Sequence, residues 1–198
     1  MYLKSYFGVY ELSLMLLLAL ASAMLNTYLP IKAFTQWLGV PGPAAGMAFL
    51  GGFIFVFWVA LAHVIIKKRY AGIVTALLIA SFCIIITPWY GIVSPIWFGG
   101  YAIAALVSMG IIVELTATAS ASKSKTKSKS RSRVRVVTVT GGGLGNVACL
   151  GITWIAIGVH AGVWVPSKWA PILILGAFVS GCVGSLMAYF LSLLVRGE

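Results

Sequence analysis

Residues 44–66 read AAGMAFLGGFIFVFWVALAHVII and are followed at once by Lys67-Lys68-Arg69. As a helix, an uncharged apolar run of this length covers about 35 Å, enough to cross roughly 30 Å of hydrocarbon. It lacks the apolar/polar alternation of a barrel strand. The three cations that close it mark the end retained in the cytoplasm, where basic residues of short loops stay. Five more runs of the same kind lie at about 10–29, 71–88, 95–115, 142–164 and 170–195. Together they predict an all-α fold, a six-helix transmembrane bundle.

Passing the chain through six spans sorts its cations. Lys4, Lys67, Lys68, Arg69, the seven between Lys123 and Arg135, and Arg196 fall on one side, and only Lys32 and Lys168 on the other. That asymmetry puts both termini in the cytoplasm of a multi-pass protein of the cell membrane; a missed or extra span would scramble it. A net charge of +11 beside membrane spans faces anionic lipid headgroups, not nucleic acid.

At 61% hydrophobic and 9% charged, the chain has too little polar surface for a soluble domain, and 1–198 reads as one membrane domain. Cys83, Cys149 and Cys182 lie inside apolar runs without C-x-x-C spacing and read as small buried residues; disulfides, metals and cofactors are not expected. The acids are Glu11, Glu114 and Glu198, all at the cytoplasmic side, so the outer half has no carboxylate for hydrolysis or proton relay. There is no G-x-x-x-x-G-K-[ST], and the chain does not itself hydrolyse ATP through such a loop. Catalysis is not expected.

Segment 116–133, Ala/Ser/Thr and then alternating Lys/Ser and Arg/Ser, is too polar to bury a core and is expected to be a disordered cytoplasmic loop. Glu114, just before it, is expected to pair with these cations. On the outer side, Tyr28, Trp37, Trp89, Tyr90, Trp97, Trp164 and Trp169 gather at or near the surface. They fit a belt of rings at headgroup depth, and equally the wall of a cavity for a planar solute. In the fifth span Asn146, Thr153, His160 and Trp164 lie within about 40° of one another on a helix. Such polar groups turn inward, toward other helices or a ligand. Ala19-x-x-x-Ala23 and the series Gly176, Ser180, Gly184, Ala188 are small-residue faces on which helices approach closely.

Six spans in about 200 residues, the Ala19-x-x-x-Ala23 face and Met109-Gly-Ile-Ile-Val-Glu-Leu115 closing the fourth span together resemble the substrate-binding S component of energy-coupling factor transporters. The resemblance implies a membrane-embedded binding subunit of an ATP-driven importer of a vitamin or vitamin precursor. It implies a membrane coupling subunit docked on Ala19 and Ala23, a pair of ATPases on other chains, and a lid at Leu29–Pro43. The pocket would use Asn26, Gln36, Trp37, Trp89, Tyr90, Trp97, His160 and Trp164, with rings stacking on the ligand and Asn26, Gln36 and His160 orienting it. The alternative is a structural or assembly protein whose rings are only an interfacial belt.

The charge partition predicts that, in intact cells, a membrane-impermeant thiol reagent labels a Ser167→Cys variant and spares Ser124→Cys. Labelling of Ser124→Cys would reverse the orientation.

Overall fold

The computed structural model describes residues 6–29, 43–90, 95–122, 127–162 and 164–196. Among them there is no strand. The helices are α1 (Val9–Tyr28), α2 (Pro43–Gly51), a π-helical turn (Gly52–Val56), α3 (Phe57–Ile66), α4 (Ala71–Tyr90), α5 (Pro95–Ser122), α6 (Lys127–Ala161) and α7 (Ala170–Arg196). The segment α2–π turn–α3 is one rod, so the described residues form six rods. Five contain stretches long and apolar enough to cross a membrane: Val9–Tyr28, Ala45–Ile66, Gly100–Ala119, Val136–His160 and Ala170–Leu194. The sixth, α4, contributes the shorter apolar stretch Ala71–Ile86.

Exposure follows the logic of lipid as solvent. On α7 Ile172, Leu175, Val179, Val183, Met187, Phe190 and Leu194 form an exposed stripe three or four residues apart, with Ile174 and Leu191 exposed beside it. The opposite face buries Leu173, Ala177, Ser185, Ala188 and Ser192. α1 does the same, with Leu12, Leu16, Leu20 and Met24 outward and Met15, Ala19, Ser22 and Ala23 inward. Large apolar side chains face outward while small and polar ones hold the helices together, as packing between spans requires.

The α2–π–α3 rod sits at the centre, against α1, α4, α6 and α7. It is apolar all round and more of it is buried than of any other span. Gly52 lets it approach α7 at backbone contact: a Cβ on Gly52 would run into the carbonyl of Ser180, and one on Gly184 into the carbonyl of Gly52, while Gly51 leaves room for Asn146 of α6. The π turn starts at Gly52 and disturbs the regular hydrogen-bond ladder of the rod. Two neighbours supply bonds at this turn. Gly52 N–H donates to Ser180 Oγ of α7 (3.0 Å), and Ser22 Oγ of α1 donates to the Ile54 carbonyl (2.6 Å). The small face of α7 read from the sequence is thus spent inside the bundle.

A second knot lies where α3 turns into α4. Lys67 and Tyr70 have positive φ, 54° and 70°, and reverse the chain in four residues. Glu114 of α5, 3% exposed, accepts from Tyr70 N–H (3.0 Å) and Gly72 N–H (3.1 Å), capping the start of α4, and lies 3.2 Å from His63 Nδ1. A carboxylate there meets the free N–H groups and positive dipole end of α4. Glu114 therefore serves α4; the side chains of the cations at 123–135 lie outside the described residues. Glu11 joins the same turn by its 2.6 Å contact with Lys68, whose Nζ also donates to the Tyr6 carbonyl (3.1 Å).

The segment expected as a disordered loop over 116–133 is helical over most of that range. α5 runs on to Ser122 and α6 starts at Lys127, with 123–126 outside the described residues. The stretch is polar but holds no Gly or Pro to break a helix, and Ala, Lys and Arg are good helix formers. The hydroxyls of Thr116 and Thr118 donate back to carbonyls of their own helix, at Ile112 (2.8 Å) and Glu114 (2.9 Å), so they do not compete with its ladder.

Gly52→Ala is expected to lower stability by about 3 kcal/mol or more, as overpacking against a backbone that cannot yield. Gly151→Ala, where a Cβ meets nothing within 4 Å, should instead be neutral or stabilising by about 0.5–1 kcal/mol. Thermal melting of the two detergent-purified variants checks both signs.

Candidate functional site

The site is built at the end of the bundle opposite the Lys67–Tyr70 turn. α1 brings Asn26 there in its last turn, α2 brings Met47, α4 brings Cys83, and α6 brings Cys149 and Thr153. Tyr101 and neighbouring small residues of α5 close the wall, with Phe55 of the π turn. Between them lies a cavity of about 70 Å³. That holds an ion or a small chemical group, whereas a drug-sized ligand takes some 300 Å³ or more.

No charged residue is among its lining in the described residues. The polar contacts inside are few and specific. Asn26 Nδ2 lies 3.7 Å from Cys83 Sγ, and Cys149 Sγ lies 3.9 Å from Met47 Sδ. Thr153 Oγ1 donates to the Cys149 carbonyl of its own helix (2.8 Å). Three sulfur atoms from α2, α4 and α6 therefore share one cavity. No group of three or more His, Cys, Asp and Glu residues comes together among the described residues.

Of the residues expected in a pocket, Asn26 lines the cavity. His160 is exposed, and its ring meets the cavity residue Tyr101 edge-on, centroids 5.0 Å apart. Trp164 is 62% exposed and folds back over Gly158, where a Cβ would touch its ring, instead of joining the cavity. Gly162 makes this return possible: at φ +65° it ends α6, its N–H donating to the Gly158 carbonyl (3.1 Å). Gln36 and Trp37, with nearly all of the expected lid, lie outside the described residues. Trp89, Tyr90 and Trp97 lie on helical backbone at this end, and their side chains are outside the description.

The polar stripe of α6 splits by depth. Asn146, 0% exposed, donates from Nδ2 to the Ala177 carbonyl of α7 (2.9 Å) and, at 3.5 Å, to the Met47 carbonyl of α2, tying three helices. Its Oδ1 has no hydrogen bond, and neither has Ser185 Oγ nearby on α7. Thr153, one heptad on, reaches the cavity. Sequence reasoning placed Thr153 on the right face but missed Tyr101 and all three sulfurs, which are too far apart in sequence to form a motif.

Ala19 and Ala23, expected as a docking face, are 0% exposed and sit in the main core beside Ile54, Phe55, Ala80 and Cys83. A buried face cannot receive a partner, so that expectation is corrected: the alanines let α1 close on the central rod. Ala19→Leu should therefore overpack the core by about 1–3 kcal/mol. Melting temperature and any ligand binding should fall together, where a docking face would lose coupling alone. The chain matches no protein-family profile, no curated protein and no solved structure.

Proposed function

We propose that this chain is the solute-binding subunit of an ATP-driven micronutrient importer in the cell membrane, with the ATPases and the membrane coupling subunit on other chains. The observation that carries the reading is the cavity itself, assembled from five of the six rods at the end away from the basic segments. A gap that draws on so many helices and holds a few polar groups among apolar ones suits a bound solute. Its uncharged lining, with Asn26, Tyr101 and Thr153 as polar groups, suits capture and release rather than chemistry on the solute.

The cavity takes an ion or the tip of a larger ligand. A vitamin or vitamin precursor would extend from it toward the ring-rich end, where Trp37, Trp89, Tyr90 and Trp97 occur in the sequence. With no carboxylate in the lining among the described residues, a neutral or anionic aromatic ligand is favoured over an organic cation, which would depend on ring contacts of about 2 kcal/mol. The coupling subunit docks elsewhere than on Ala19 and Ala23.

The test is equilibrium binding of vitamins and precursors of each charge class to the purified full-length chain. One neutral or anionic compound should bind, and Asn26→Leu, Trp89→Ala and His160→Ala should each weaken it about tenfold, some 1.4 kcal/mol. Selective binding of an organic cation unaffected by these changes would defeat the pocket. Absence of any ligand, by panel and by native mass spectrometry, would favour a structural or assembly role.

A further inference from the structure

We infer that the sulfur-lined floor of the cavity is a binding site for a soft monovalent metal ion, Cu(I). Met47, Cys83 and Cys149 come from three different helices and from positions 36 to 102 residues apart in the chain, yet their side chains line one cavity of about 70 Å³. Thioether and thiolate sulfur together select Cu(I) over the hard divalent ions, which take oxygen. Metal–sulfur bonds of about 2.3 Å place two sulfurs on one ion roughly 3.8–4.6 Å apart, from tetrahedral to linear geometry. Cys149 Sγ and Met47 Sδ are 3.9 Å apart, inside that window without movement.

Charge points the same way. Among the described residues the lining offers neither a carboxylate to balance a cation nor a Lys or Arg to balance an anion. The anion available there is a thiolate. On binding, the Cys149 S–H bond breaks, its proton leaves to solvent and an S–Cu bond forms. One thiolate and one Cu(I) make a neutral unit, which an apolar interior accepts far more readily than a free charge. Met47 adds a neutral thioether, and Cys83, held toward Asn26, gives the third sulfur. No oxidation state changes. Zinc is disfavoured because no His, Asp, Glu or further Cys joins Cys83 and Cys149 among the described residues.

The site goes beyond the importer reading: it rests on the cavity alone and needs neither the vitamin-type ligand nor a partner chain. A protein that binds Cu(I) without ATPase coupling fails the importer reading alone; one that takes up another solute and ignores Cu(I) fails the site alone.

The experiment titrates Cu(I), anaerobically and against a chromophoric Cu(I) chelator, into untagged full-length protein in detergent. About one ion per chain should bind with Kd below about 1 µM. Met47→Leu, a volume-conserving change that keeps the fold, and Cys149→Ser should each weaken binding about tenfold or more. Cys182→Ser, on α7 outside the cavity lining, should leave it unchanged, and Zn(II) should not compete. X-ray absorption of the copper-loaded wild type should show a sulfur shell at about 2.3 Å. Absence of saturable binding, a nitrogen or oxygen shell, or a Kd that Met47→Leu leaves unaltered would each overturn the site.

Discussion

The missing side chain at Gly52 is the constraint from which most of the architecture follows. It allows the central rod to lie against α7 backbone to backbone, with Gly184 and Ser180 as the reciprocal surface. Close approach in a lipid-facing protein has to come from small residues and good packing, because burying apolar surface gains little where the solvent is itself apolar. The π turn begins at the same residue, and its backbone groups bond to Ser180 on one side and Ser22 on the other. That links α1, the central rod and α7 through two hydroxyls. Phe55 of the turn and Met47 before it then contribute to the cavity wall, so the contact that tightens one side of the rod accompanies an opening on the other.

The two acids among the described residues do related work. Glu114 and Glu11 both act on the turn between α3 and α4, one by capping α4 and meeting His63, the other through Lys68. A buried carboxylate is tolerated where it gains several hydrogen bonds at once. Glu114 has two backbone donors and a histidine beside it, and it fixes α5 to the reversal that sets the spacing of α3 and α4.

Much of this fold was legible in the sequence because membrane helices announce themselves by length and apolarity. The run 44–66 gave a span, and the Gly176, Ser180, Gly184, Ala188 series gave a close-packed face. Orientation about each helix axis was harder. In water an apolar stripe points inward, but on α1 both faces are apolar, so Ala19 and Ala23 read equally as a surface for a partner or as core. The basic stretch misled for another reason: polarity argued for a loop, while the lack of Gly and Pro and the abundance of Ala, Lys and Arg allowed helix. The cavity was only partly visible. Asn26 and Thr153 are polar residues in apolar runs and draw notice. Met47, Cys83 and Cys149 look like ordinary apolar residues until three helices bring them together, and Glu114's partners at His63, Tyr70 and Gly72 lie more than 40 residues away.

Both carboxylate clamps among the described residues grip the end with the Lys67–Tyr70 turn. That turn joins the two rods that carry Met47 and Cys83 to the cavity wall. The angle fixed at Glu114 and Glu11 is therefore carried along both rods, and it sets the spacing of two walls of a cavity built at the other end.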